Sequence, residues 1–398
     1  MDPICLNKFE VERCKFTSCT FCPNSPNLVT CGSDRKVHLH QLTSKYRRTD
    51  FKGGKSEMTY VTVSPTTQNP TDTIILTSNR DGKIFLNETS IQKKPIIFSA
   101  HTNRVNSINF TPDSTRFTTS SNDHNAKVWD FPSLKFLASL RGHKSWVTSS
   151  TFSADGNVIV TSSEDRYVRL WDVRTRNSQQ FFGPMNAPVS RATFHPDGSI
   201  VGSALQDGTF SIIDTRNQQV IQKYDAHQGP ITSLQFHPSG SFALTTSTDC
   251  KICIWDLIEG QLFYTISSHT APITDGRWNF DGSRFLTCDE SGVLLQWQTN
   301  FDKLIQKIGS TNKSNPEQIL ADAMDVAPPP ARAGPPQPTP IEIEAPSNDL
   351  IEATLDRMLN QLQMISKTAL MMEKRVEMQE EKLAMVQQNN SSKKKKKL

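Results

Sequence analysis

Long apolar runs are missing from this chain. Nothing in its 398 residues approaches the ~18 consecutive apolar positions that a membrane-spanning helix needs, and no N-terminal stretch joins a basic start to an apolar core. The expectation is a cytoplasmic protein with no membrane partner. Also lacking are a glycine-rich phosphate loop, a metal-ligand constellation and a nucleophile beside a base, so neither an enzyme nor a cofactor or metal is expected. Of the eight cysteines, Cys19-x-x-Cys22 and Cys250-x-x-Cys253 invite a zinc reading. Yet the pairs lie 228 residues apart with no Cys or His at zinc-knuckle spacing, and buried thiols in a reducing compartment are the expectation. Excess charge is scarce too. The net charge is +4 from 44 basic and 40 acidic residues, and removing Lys393 to Lys397 leaves 44 − 5 = 39 against 40. That tail can contact acidic surfaces or simply aid solubility. It lacks the interleaved aromatics that stack on bases, which argues against a nucleic-acid partner.

What the chain does have is a period. Trp129, Trp171, Trp255 and Trp297 are spaced by 42, 84 and 42 residues, with Ile213 on the missing rung and Asn87 one step above. Six residues before these positions stand Asp81, Asp123, Asp165, Asp207, Asp249 and Ser291; 28 before stand His101, His143, Met185, His227 and His269. Nineteen before stand Phe110, Phe152, Phe194, Phe236 and Trp278, each followed by a turn signal such as Asp155-Gly156. Phe21, Asp34 and His40 mark a further repeat near 9–45, and one around Asn87 carries a Pro-bearing insertion at 64–70. Seven repeats of this length predict an all-β ring of seven four-stranded blades, resembling WD-repeat β-propellers. Complete sets are His101/Asp123/Trp129, His143/Asp165/Trp171 and His227/Asp249/Trp255. The resemblance implies a network in which His bonds Asp and turns its other nitrogen to the Trp strand, and three equivalent copies around a ring indicate a scaffold rather than catalytic pairs.

The expected division is a propeller over 1–308, a Pro-rich flexible linker over 309–347, a coiled coil over 348–388 and a basic lysine tail over 389–398. In the linker Pro328-Pro329-Pro330 and Pro335-Pro336 sit among small polar residues, a composition that cannot bury a core. Beyond it the period becomes seven. Leu355, Leu362, Ala369, Val376 and Leu383 share one heptad position, while Ile351, Met358, Ile365, Met372, Gln379 and Val386 share the other. Such a seam needs a partner helix, from a second copy or from another coiled-coil protein.

The stretch Asp256-Leu-Ile-Glu-Gly-Gln-Leu-Phe-Tyr-Thr-Ile266, the exit Trp297-Gln-Thr-Asn-Phe-Asp302 and the C-terminal Thr354-Leu-Asp-Arg-Met-Leu-Asn-Gln-Leu together resemble the centriolar WD-repeat family named from the "proteome of the centriole". So does the order of propeller, tether and short coiled coil. That resemblance implies a non-enzymatic structural protein of centrioles and basal bodies. It would bind the microtubule wall, tubulin or inner-scaffold components, and support cilium and flagellum assembly within the cytoskeleton. A general WD-repeat adaptor, such as a substrate receptor or transport-coat subunit, is the other reading. Departures fall in the first two repeats, where His40 and Asn87 replace Trp, and Glu12 and Gly54 replace the ring His.

Residues just ahead of each innermost strand should crowd one face around the channel: Lys15, Glu57, Arg104, Trp146, Pro188, Pro230 and Pro272. The first four are the candidate protein-binding face, with Arg104 and Trp146 as anchors. The outer strand of the last blade could come from Cys5–Phe9 or from Phe301–Ile308; the former, which joins the termini and locks the ring, is favoured.

Overall fold

The computed structural model describes residues 3–299, apart from 24, 43–45, 67–72, 90–93 and 176–177. The linker, the whole coiled-coil seam from Ile351 to Leu383 and the lysine tail therefore lie outside the described residues. Those within form one compact unit ending at Thr299.

Each repeat contributes short strands of alternating or wholly apolar and hydroxylated residues, which suit a sheet buried on both faces. They assemble as seven antiparallel four-stranded sheets. The innermost strands are Phe16–Phe21, Met58–Val63, Val105–Phe110, Val147–Phe152, Val189–Phe194, Ile231–Phe236 and Ile273–Trp278, and they number blades one to seven. Blade seven is completed by Ile4–Glu10, which pairs antiparallel with Val293–Gln298 in the register Ile4↔Gln298 to Glu10↔Val293. The first strand thus closes the ring, and no sheet of the ring lacks its fourth strand.

The core lies between blades. Trp171 of blade four packs with Ala126, Val128 and Leu140 of blade three, and Trp129 of blade three with Leu76 and Ile84 of blade two. Blade seven packs on blade one in the same manner, through Leu286 and Leu294 against Phe16 and Leu28. A second belt is polar. The second residue of an innermost strand reaches the backbone oxygen that opens the next one: Thr17 to Met58 (3.0 Å), Thr59 to Val105 (2.6 Å), Asn106 to Val147 (2.8 Å), Thr148 to Val189 (2.7 Å) and Ser190 to Ile231 (2.6 Å). Small donors on these inner strands hold neighbouring blades together where large apolar groups would not fit.

The hairpin between second and third strands shows why the Asp rung persists even where its His is gone. In every blade the tip residue has a left-handed backbone: Arg35, Gly82, His124, Arg166, Gly208, Cys250 and Gly292, with φ between 65° and 87°. A side-chain oxygen two residues ahead of a strand's first N–H stabilises that turn. Asp207 does this for Thr209 N–H at 3.0 Å although blade five carries Met185 in place of His. In blades two and seven the duty moves two residues earlier, to Asn79 and Asp289, which accept from Lys83 and Val293.

Candidate functional site

Four side-chain chains run through the ring, one more than the three counted from the sequence. In blade four Trp171 Nε1–H donates to Thr161 Oγ1 (2.8 Å), Thr161 Oγ1 meets His143 Nε2 (2.8 Å), and His143 Nδ1 meets Asp165 Oδ2 (2.9 Å). The same links join Trp129, Thr119, His101 and Asp123, and also Trp255, Thr245, His227 and Asp249. The fourth joins Trp297, Thr287, His269 and Asp289. Its acid is Asp289 rather than a residue on the Ser291 rung, because blade seven places the carboxylate 20 residues after its His instead of 22.

The threonine is the member that the sequence reading missed. The imidazole does not meet the Trp directly; a hydroxyl stands between, accepting from the indole and hydrogen-bonded to Nε2. A neutral imidazole with its proton on Nδ1, facing the ionised acid, takes the hydroxyl's proton at Nε2. Burial pulls the His101 and His227 pKa down, against the pull of Asp123 and Asp249. Burial also opposes the charge on Asp165, but hydrogen bonds from His143 and the Lys144 N–H hold it at about 2. The His side chains of these pairs are at most 1% exposed.

Blades one and two depart from the pattern in different ways. In blade one His40 takes the indole's place, bonding Thr30 Oγ1 at 3.0 Å and Tyr46 Oη at 3.0 Å. Burial lowers its pKa to about 3. In blade two Thr77 Oγ1 and Asn87 Nδ2 are buried without a hydrogen-bond partner among the described residues.

The seven residues ahead of the innermost strands do occupy equivalent places. Each backbone oxygen accepts an N–H from the residue following the second strand, as in Glu164 to Trp146 (3.0 Å) and Asn122 to Arg104 (3.0 Å). The rim they form is lopsided. Blades one to three present Lys15, Glu57 and Arg104; blades five to seven present Pro188, Pro230 and Pro272; Trp146 stands between the two arcs. Lys15 pairs with Glu290 at 3.1 Å and Glu57 with Arg80 at 3.6 Å, both solvent-exposed. Arg104 forms no ion pair among the described residues, and burial together with the Arg80 and Arg191 charges pulls its pKa below the ordinary arginine value. Trp146 is 45% exposed.

Below the rim, the third residue of the innermost strand is Tyr60 in blade two, Arg191 in blade five and Asp275 in blade seven. The Tyr60 ring is contacted by two guanidinium groups, Arg191 at 4.9 Å and Arg277 at 4.7 Å. Arg277 Nε lies 3.4 Å from Asp275 Oδ2, which also accepts from Ser18 Oγ at 2.7 Å. Burial works against the Arg277 charge, but Tyr60 and Asp275 keep its pKa above the ordinary value. Blades one, two, five and seven are thus tied across the channel.

A family model for the WD domain, G-beta repeat, matches residues 4–41, 92–130, 134–172, 218–256 and 260–298. This is a WD-repeat protein. The curated proteins compared yield no match to it. The stretches of the ring between the matched repeats, 42–91 and 173–217, belong largely to blades two and five, where the Trp-Thr-His-Asp chain is absent. WD-repeat propellers serve as platforms for protein interaction, and protein partners are the corresponding expectation for this WD-repeat protein. The cysteine pairs agree with a packing role: Cys19, Cys22 and Cys253 are buried and Cys250 is half-buried.

Proposed function

We propose that this protein is a non-enzymatic scaffold of centrioles and basal bodies. It docks a tubulin or inner-scaffold component on the propeller rim, and residues 348–388 pair two copies through a coiled coil. The lysine tail adds contacts to acidic surfaces. The observation that supports docking at the rim is Trp146. Among the described residues, nearly all other large apolar side chains this exposed lie on outermost strands, such as Phe136 and Phe181; Phe280 sits in a hairpin at the opposite face. Trp146 alone of these stands at the channel mouth, beside Arg104, which forms no ion pair among the described residues, and Trp and Arg are, with Tyr, the residues enriched at the energetic centre of interfaces. The C-terminal resemblance favours centrioles over other sites of action.

Imaging a tagged full-length copy tests the assignment. Discrete puncta coincident with centrioles and basal bodies are expected. A diffuse or vesicular signal would instead assign the protein to the receptor and coat-type adaptors.

A further inference from the structure

The connector between the closing strand and blade one brings a cysteine, an aspartate and a histidine together. Cys14 Sγ, an Asp34 carboxylate oxygen and a His38 ring nitrogen lie within 4.8 Å of one another. Cys14 and His38 are 2% and 1% exposed, while the Asp34 side chain keeps 19% of its surface open to solvent. The three come from separate places: Cys14 from the connector, Asp34 from the hairpin before the third strand of blade one, and His38 from that strand.

The orientation of His38 is what points to an ion. Its Nδ1 lies 2.9 Å from Asp50 Oδ1, and Asp50 is held in turn by Arg48 at 3.1 Å and Lys36 at 3.6 Å. An imidazole that gives its Nδ1 proton to a carboxylate presents a bare lone pair at Nε2. That Nε2 stands 3.1 Å from Asp34 Oδ2 yet has no hydrogen-bond partner among the described residues. Two acceptors this close repel unless a cation is shared between them. The separation also matches the edge, roughly 3.3 Å, of a tetrahedron built on ~2.0 Å metal bonds. Room for the sulfur is provided by Gly32, since a Cβ there would collide with Cys14 Sγ.

We propose that Cys14, Asp34 and His38 bind a divalent ion of the zinc class, leaving a fourth position for water or an exchangeable group. Thiolate, imidazole and carboxylate are the ligand set that zinc takes. The Cys14 thiol loses its proton to solvent as the sulfur–metal bond forms. Asp50 orients the histidine from behind. Because Cys14 precedes the first inner strand, the ion fastens the ring-closing connector to blade one.

Titrating the full-length protein with Co²⁺, whose spectrum reports its ligands, tests this directly. One equivalent is expected to bind with a thiolate-to-cobalt charge-transfer band and tetrahedral visible bands, both erased by Zn²⁺. Cys14→Ser should remove the charge-transfer band, and Asp50→Asn should weaken zinc about 10–100-fold. A Cys5→Ser/Cys250→Ser chain, altered only at the more exposed thiols, should bind as the wild type does. No band in the wild type would mean that a protonated His38 simply bridges Asp34 and Asp50, and would overturn the site. A band that survives Cys14→Ser, or one lost from the Cys5/Cys250 variant, would place the metal elsewhere and overturn it equally.

Discussion

Replacing Asp275 by Asn is expected to destabilise the propeller by about 3–5 kcal/mol, the cost of removing one member of a buried ion pair. Asn keeps the size of the side chain and can still accept from Ser18, so packing changes little. What is lost is the carboxylate 3.4 Å from Arg277, a guanidinium with only 11% of its side chain exposed. Arg191 is close by on the same Tyr60 ring, so the remaining charges are both positive. Chemical denaturation of single and double variants checks this. Asp275→Asn/Arg277→Met should recover much of the loss, since it leaves no buried charge unpaired. Equal losses in the single and double variants would show that Asp275 acts through its hydrogen bonds alone.

Thr161→Val is expected to cost about 2–6 kcal/mol, because two buried polar groups lose their partner at a cost of about 1–3 kcal/mol each. The substitution preserves shape and deletes one hydroxyl. Trp171 Nε1 and His143 Nε2, both 2.8 Å from that oxygen, are then left facing a methyl group. Thr161→Ser keeps the hydroxyl and should stay within about 1 kcal/mol of wild type, the value of one buried methyl. Ser203 provides an internal comparison. It occupies the same rung of blade five, but its hydroxyl reaches only the Ser211 backbone oxygen, at 3.4 Å. Removing it should cost about 1 kcal/mol. Similar losses at Thr161 and Ser203 would mean that the Trp-Thr-His-Asp chain adds nothing beyond a strand hydroxyl.

The ring was legible in the sequence because a single period governs side chains of four kinds at once. Its closure by the segment Cys5–Phe9, the favoured of two candidates, is found as the strand Ile4–Glu10. The threonine hub was written there too, since Thr77, Thr119, Thr161, Ser203, Thr245 and Thr287 keep the same step. A hydroxyl in a β-strand is common enough that the ladder carried no meaning until the His and Trp were seen converging on it. Counting by fixed offsets misled at Ser291, where a turn that places its acid two residues earlier restores the network through Asp289. Two clusters were hidden for a different reason. Tyr60, Arg191 and Arg277 meet only because a closed ring brings blades two, five and seven to one axis. Cys14 and Asp34 are 20 residues apart, a spacing that matches no ligand motif, and only the hairpin of blade one places His38 beside them.

The central claim is that the lopsided rim is where this scaffold holds its partner. Recruitment of a Trp146→Ala/Arg104→Ala chain to centrioles, compared with wild type at equal expression and with matched melting curves, tests it most directly. The predicted result is loss of the punctate signal while the fold stays intact. Undiminished recruitment of that chain would contradict the claim and remove the rim from the mechanism.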